Sequence, residues 1–544
     1  MTVAERIIKT LENHGVCYVF GVPGEEVEDL LFALSKSKKI KFIATRHEQG
    51  AAFMADVWGR LTGRAGVCLA TLGPGATNLL SGIADSFLDK APLLAITGQA
   101  DSMRHHKDSH QYIDVAGIFK PVTKWNTVIL NPKDAAFSVS KAIQIAEAEK
   151  PGATHIDLPE DIAEMTCPPL VSPAGVGRRE VKKPKAREIL KAVSLIKKSK
   201  RPIIFSGNGV VRKNNSSILQ KIAETFNIPV FTTFMGKGAI SDRSPLSLKS
   251  VGLKANDFQK IALAESDLVI CVGVDHGEWS PNNWAAGKNI IHIDHELDFF
   301  YKSYSPEVEL LGGIKSSLEM LFSEIKKAKV SKFDSWYTEF RIKILEDHKY
   351  WEKYGKNITA PFVLGELRKA MNDEDIILSD VGAHKMWIAR NFDAYKPNTC
   401  IIPNGLAAMG IALPGGLAAK LAFPKLRVVS VMGDGGFMMN SQEIETAKRI
   451  GVPFTIVVLN DNDYGLISWK QATSRGKSFG TKLSNPDFVK YAESFGIKAY
   501  HPKSRKDVGA ILQKAINSNE LCLVAIDIDP SVNLELTKRL KDLK

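Results

Sequence analysis

The chain has 544 residues, 44% of them hydrophobic, and a formal net charge of +12. That length suits about three or four domains, and no apolar run approaches the roughly twenty residues a membrane-crossing helix needs. Lysines and arginines are scattered among acids without a zinc-finger or RNA-recognition signature, so the excess charge reads as a solvated surface, with neither a nucleic-acid partner nor a membrane.

From the amino terminus, residues 1–9 place apolar side chains at helical spacing among charges. They lack the continuous apolar core of a secretory signal, which predicts a cytoplasmic protein. Six cysteines (Cys17, Cys68, Cys167, Cys271, Cys400 and Cys522) form no CxxC pair, and most sit among apolar residues, as buried thiols do. Two loops, Phe20-Gly21-Val22-Pro23-Gly24 and Leu72-Gly73-Pro74-Gly75-Ala76-Thr77-Asn78, carry tight-turn chemistry. Between them a strand over 40–45 runs into a helix of small residues, with Glu48 at the turn, a position that the helix dipole alone favours for an acid. A strand at 66–70 follows. The polar stretch Ser109-His110-Gln111 precedes Phe119-Lys120-Pro121-Val122-Thr123-Lys124-Trp125.

Prolines and glycines over 168–177, followed by charges to about 186, read as a linker. Strands are predicted at 202–205 and 268–272. The first leads to Ser206-Gly207-Asn208-Gly209-Val210, which is short of a full GxGxxG. The second leads to Gly273-Val274-Asp275-His276-Gly277-Glu278-Trp279. A charged, aromatic segment from about 330 to 358 reads as a connecting helix plus a loop. Beyond it a strand at 376–378 enters Asp380-Val381-Gly382-Ala383-His384. The segment Asn404-Gly405-Leu406-Ala407-Ala408-Met409-Gly410 follows, and then a strand at 428–432 that ends in Gly433-Asp434-Gly435-Gly436. A helix containing Glu443-Ile444-Glu445-Thr446-Ala447 leads to a strand closing in Asn460-Asp461-Asn462-Asp463-Tyr464-Gly465. The last residues, from 534, read as a basic terminal helix or a frayed tail. Strands and helices alternating throughout predict an α/β protein of three doubly wound parallel-sheet domains, near 1–165, 186–328 and 359–530.

Asp434 and Asp461 would stand at the carboxyl ends of neighbouring parallel strands, where α/β sheets bind ligands. Two carboxylates there suit a hard cation such as Mg²⁺, which usually brings a phosphate with it. Gly433, Gly435 and Gly436 let the backbone approach a diphosphate closely.

This segment resembles the diphosphate-binding motif of thiamine-diphosphate (ThDP) enzymes, a Gly-Asp-Gly followed later by Asn-Asn. Asp461 replaces the second Asn, as in the catabolic acetolactate synthases. The resemblance runs from about residue 3 to about residue 530. It implies that Asp434, Asp461 and the carbonyl of Asp463 hold the cation, with Tyr464, Gly465 and Leu466 beside the cofactor. Val381, Gly382, Ala383 and His384 look like the family's loop over the diphosphate, with Ala383 in place of the usual Gln or Ser. Gly405, Ala407 and Met409 resemble its Gly-Leu-Gly-x-Met-Gly segment, with Ala407 replacing the second Gly. Met409 would be the apolar wedge that bends the cofactor into a V, a positioning effect. Glu48 would hydrogen-bond the aminopyrimidine ring and promote loss of the thiazolium C2 proton. Pro23 and Gly24 lie in the family's first loop; Leu72 stands where the usual synthase has Ser. Gln111 would face the substrate or the reaction intermediate.

The resemblance implies decarboxylation of pyruvate and carboligation to a second 2-oxo acid, giving 2-acetolactate, in a homodimer or homotetramer. A regulatory subunit is left open. Alternatives are another 2-oxo acid decarboxylase, a pyruvate oxidase-like enzyme, or a non-catalytic ThDP-fold binding subunit. Met235-Gly236-Lys237-Gly238 is similar to a loop of flavin-containing members. The turn through Asp275-His276-Gly277-Glu278 is more like the flavin-free ones, so FAD is expected to be absent. Biosynthetic synthases put a specificity Trp near here, at the place of Lys470; either the register slips by one to Trp469 or that Trp is missing.

Overall fold

A computed structural model describes residues 1–106, 108–168, 182–212, 214–251, 257–275, 277–296 and 304–542. Most of the linker expected at 168–186, and His276, lie outside the described residues. Among the described residues, eighteen strands form three six-stranded sheets, and every strand pair is parallel.

The first sheet comprises β1 (Tyr18–Gly21), β2 (Lys41–Ala44), β3 (Gly66–Ala70), β4 (Leu93–Gln99), β5 (Trp125–Val128) and β6 (Ala153–Pro159), in the order β2-β1-β3-β4-β6-β5. The second comprises β7 (Pro202–Ser206), β8 (Val230–Thr232), β9 (Ser247–Ser250), β10 (Leu268–Val272), β11 (Asn289–Asp294) and β12 (Val308–Leu311), in the order β12-β11-β10-β7-β8-β9. The third comprises β13 (Ile376–Ser379), β14 (Cys400–Ile401), β15 (Val428–Gly433), β16 (Thr455–Asn460), β17 (Lys498–Tyr500) and β18 (Cys522–Asp527), in the order β14-β13-β15-β16-β18-β17.

Counted within each sheet, the first and third share one strand order, and the second has the dinucleotide-binding order read from its other edge. The order reverses between β1 and β3, between β7 and β10, and between β13 and β15. Those are the switch points where crevices open at strand carboxyl ends. Strands such as β3, β4, β7 and β10 are buried at every residue, so they read as continuous apolar runs rather than alternating ones.

The chain divides into two compact units. One comprises Met1–Arg179, Gly405–Lys425 and Gly436–Phe454; the other Glu180–Asn404, Leu426–Gly435 and Thr455–Lys544. In the first, the helix Glu48–Thr62 packs on the helices Pro74–Leu88 and Ala412–Ala422. Its buried Gly50, Ala51, Ala52 and Ala55 permit that approach.

In the second unit the expected connecting helix is Thr338–Lys353. The terminal segment is a docked helix, Ser531–Asp542, with Val532, Leu536 and Leu540 buried. Trp387 donates its indole N–H to Asn533 at 2.7 Å. Buried Arg390 bridges Asp257 and Asp347, and Asp347 also receives Arg539 at 2.7 Å. Five cysteines are buried and Cys17 is exposed, and no disulfide joins any of the six. No helix among the described residues is long and apolar enough to cross a membrane.

Removing Arg390 leaves buried Asp257 without its cation, while Asp347 keeps Arg539. Arg390→Met should therefore lower the stability of this unit by about 3–5 kcal/mol, seen as a lower urea midpoint with an unchanged slope.

Candidate functional site

The switch point of the third sheet gathers acids. β13 ends at Ser379 and is followed by buried Asp380, whose carboxylate accepts the N–H of Val381 at 2.7 Å. β15 delivers Asp434 at the start of the helix Asp434–Asn440. β16 ends at Asn460 and delivers Asp461 and Asp463. The amide of Asn485 donates to Asp434 at 2.6 Å, to Asn460 at 2.9 Å and to the Asn462 side chain at 3.1 Å. Lys482 pairs with the Asp463 carboxylate at 3.0 Å. Burial, then the charges of Asp434 and Asp463, pushes Asp461 up to about 7. Burial also raises Asp434.

Such mutual repulsion is what a cation relieves. Among the described residues no group of three or more His, Cys, Asp or Glu side chains is arranged to hold a metal. The implied set needs only two carboxylates and a main-chain oxygen, and Lys482 occupies the third carboxylate, so the residues present fit an Mg²⁺ bound together with a diphosphate.

Around these acids, Val381, Gly382, Ala383, Gly433, Gly435, Tyr464, Gly465 and Leu466 are all half-buried. A Cβ at Gly465 would stand 2.6 Å from the Asp461 carboxylate, so only glycine fits. His384 is buried next to Gly382 and Gly433. Burial lowers its pKa to about 4, which leaves a neutral ring, and its Nε2 has no hydrogen-bond partner among the described residues. Such a ring nitrogen is available to donate to or accept from a ligand. Trp469 points elsewhere: it is buried and donates to Thr537 of the terminal helix at 2.7 Å, while Lys470 is exposed.

In the other unit, Glu48 is the first residue of its helix, with His47 capping the Gln49 N–H at 3.0 Å. Its carboxylate accepts the amide of Asn78 at 3.0 Å. The turn before it is held by Glu443, whose carboxylate accepts the N–H groups of Arg46 and His47 at 3.1 Å each and the Thr446 hydroxyl at 2.6 Å. Asn440 joins the Gln49 side chain at 3.0 Å to the Gly410 carbonyl at 3.1 Å.

Met409 and Ala407 are half-buried on the neighbouring loop, and Gly436 is buried. Pro23 is exposed and Gly24 lies against Thr71. Gln111 is exposed, with its carbonyl against Gly73 and a φ of 55°. Leu72 is fully buried. The candidate residues thus fall into two sets, one in each unit. Sequence reasoning gave no role to Asn78, Asn440, Glu443 or Asn485. Their amides and acids sit far along the chain from the groups they hold; Asn78 and Glu443 lie within segments that drew attention, but neither was given a role.

Known proteins match this arrangement. Residues 1–118, 189–321 and 380–526 match the family models for the N-terminal thiamine pyrophosphate (TPP) binding domain, the central domain and the C-terminal TPP binding domain of thiamine pyrophosphate enzymes. The chain is 35% identical to a "Probable acetolactate synthase large subunit" of Methanocaldococcus jannaschii, over 98% of this chain and 93% of that one. It is 31% identical to an "Acetolactate synthase" of Bacillus subtilis over 98% and 94%, and 34% identical to an "Acetolactate synthase large subunit" of Corynebacterium glutamicum over 96% and 85%. The chain belongs to the thiamine pyrophosphate enzyme family. Within it, the acetolactate synthases are relatives it matches along nearly its whole length.

Burial, set against the hydrogen bonds from Thr446, Arg46 and His47, raises Glu443 from 4.5 to about 7. The folded protein then binds this proton more tightly than the unfolded chain does, so stability is lost as pH climbs between those two values. Glu443→Gln keeps an acceptor and removes the titration. Compared with wild type, it should be equally stable at pH 4 and more stable by about 2–3 kcal/mol at pH 8, measured by urea unfolding. A difference that does not change with pH would contradict the assignment.

Proposed function

We propose that this protein uses ThDP and Mg²⁺ to decarboxylate pyruvate and to join the remaining two-carbon unit to a second 2-oxo acid. With pyruvate as acceptor, one carbon–carbon bond breaks, CO₂ leaves, a new carbon–carbon bond forms, one proton is taken up, and 2-acetolactate is the product. The observation that carries this reading is that one chain holds both halves of the required chemistry, a carboxylate fixed at a helix start and a crevice of mutually repelling acids. The near full-length likeness to acetolactate synthases supports it.

When bound, ThDP supplies an acidic thiazolium C–H and an electron sink for decarboxylation. Asp434, Asp461 and the Asp463 carbonyl hold the cation. Val381, Gly382, Ala383, His384, Gly433, Gly435, Gly436, Tyr464, Gly465 and Leu466 line the diphosphate. Gly405, Ala407 and Met409 position the rings, with Pro23 and Gly24 near the pyrimidine. With ThDP bound, Glu48 would exchange a proton with its aminopyrimidine; the hydrogen bond from Asn78 fixes which way the Glu48 carboxylate faces. Gln111, on an exposed loop, contacts the substrate.

Residues 1–165, 186–328 and 359–530 serve as pyrimidine-binding, central and diphosphate-binding domains of a cytoplasmic homodimer or homotetramer. Glu48 of one protomer works with Asp434 and Asp461 of its partner.

Two features refine the reading. Trp469 is engaged with Thr537, and the place of the specificity Trp is held by exposed Lys470. This favours pyruvate itself as acceptor over 2-oxobutyrate. At the switch point of the second sheet, Glu278 already sits 3.3 Å from the Asn208 N–H, and Arg212 pairs with Asp275 at 2.8 Å. Burial, then Asp275, raises Glu278 to about 8. These side chains bond to one another and to the backbone at the strand ends where a dinucleotide diphosphate would lie, and no step is assigned to FAD.

Purified protein incubated with ThDP, Mg²⁺ and pyruvate should yield acetolactate, assayed as acetoin after acid treatment. It should show no flavin absorbance, and with equimolar 2-oxobutyrate it should not favour the mixed product. Pyruvate consumed without acetoin would instead indicate a decarboxylase or oxidase.

A further inference from the structure

The helices Glu48–Thr62 and Pro74–Leu88 bury an ionic cluster that the proposed chemistry does not use. Arg60 reaches Asp56 and Asp85 at 2.9 Å and Asp89 at 2.5 Å, and all three carboxylates are buried. Three acids facing one guanidinium are more than ion pairing requires. Their remaining oxygens show where they act. Asp89 accepts the N–H of Gly405, and Asp85 accepts the N–H of Ala408 at 3.1 Å.

Those two amides flank Ala407, which has a φ of 60°. An L-residue with a Cβ disfavours that left-handed conformation, and glycine is its usual occupant. Gly405 has no room for a side chain: a Cβ there would collide with the Asp89 carboxylate and the backbone of Leu88.

We propose that Asp85 and Asp89, braced by Arg60 and Asp56, are positioning residues that clamp the 405–408 loop in its left-handed turn and so set where Met409 stands. This rests on the reading of Met409 as a cofactor-facing residue. Burial, then Asp89 and Asp56, raises Asp85 well above the ordinary carboxyl range. An amide at this position keeps an oxygen that can accept the Ala408 N–H. The clamp compensates for alanine at position 407; with glycine there the turn would need less holding.

Hydrogen exchange in cofactor-free protein, followed on a peptide spanning 404–411, tests the clamp without catalysis. The amides of Gly405 and Ala408 lie outside any helix or strand. They should nonetheless be protected in wild type and exchange faster in Asp85→Ala. Free exchange in wild type overturns the proposal, also in the event that Asp85→Ala does not fold.

In the ThDP- and Mg²⁺-loaded enzyme, Asp85→Ala should lower kcat on the order of tenfold with the Kd for ThDP nearly unchanged. Asp85→Asn should recover most of that loss. In an Ala407→Gly background the loss from Asp85→Ala should shrink to about threefold or less, because neighbouring changes that share one structural role do not add. Unchanged kcat, equal losses in Asp85→Ala and Asp85→Asn, or losses that simply multiply in the double variant would each overturn it. Met409→Ala separates the two levels. Wild-type turnover in that variant would refute the cofactor-facing reading of the loop, while the exchange result would still judge the clamp.

Discussion

Carboxylates held out of water by hydrogen-bond donors are the constraint on which this protein depends. Asp461 and Asp434 repel each other at the ends of β16 and β15. Glu443 spends its oxygens on the backbone before Glu48. Asp85 and Asp89 spend theirs on the loop before Met409. A buried acid is costly unless it is paired or hydrogen-bonded, so each of these groups fixes the geometry of whatever satisfies it. Asp461 is the exception: burial and two neighbouring carboxylates raise it, and that is why the proposed function places a cation there.

The three sheets put one topological device to different uses. The first and third have the same strand order. Their switch points carry unlike loops: Pro23 and Gly24 after β1, and the acids Asp380 and Asp434 after β13 and β15. The second sheet has the order associated with dinucleotide binding, yet its crevice contains Glu278, Arg212 and Asp275. A dinucleotide-type strand order does not by itself make a nucleotide site; the side chains at the strand ends decide that.

Much of this was legible in the sequence because parallel sheets announce themselves. Fully buried strands such as 66–70 and 268–272 read as apolar runs, and glycine-rich turns at their ends follow from close backbone approach. The Gly-Asp-Gly turn and the Asn/Asp cluster were readable because their spacing is local to one strand–helix–strand unit. The clamps were not. Asp85 meets Ala408, and Glu443 meets Arg46, across hundreds of residues. A single acid on an amphipathic helix looks like a solvated face until tertiary packing buries it. The terminal segment was ambiguous for the same reason, since its docking depends on Asn533 and Thr537 finding Trp387 and Trp469.

The central claim is that Glu48 activates the cofactor. Exchange of the C2 proton of bound ThDP for deuterium, timed by quenched flow and read by proton resonance, reports this step without substrate. Wild type should exchange at least as fast as it turns over. Glu48→Gln should bind ThDP and Mg²⁺ but exchange slower by on the order of a hundredfold or more. Equal exchange rates in the two proteins would contradict the account.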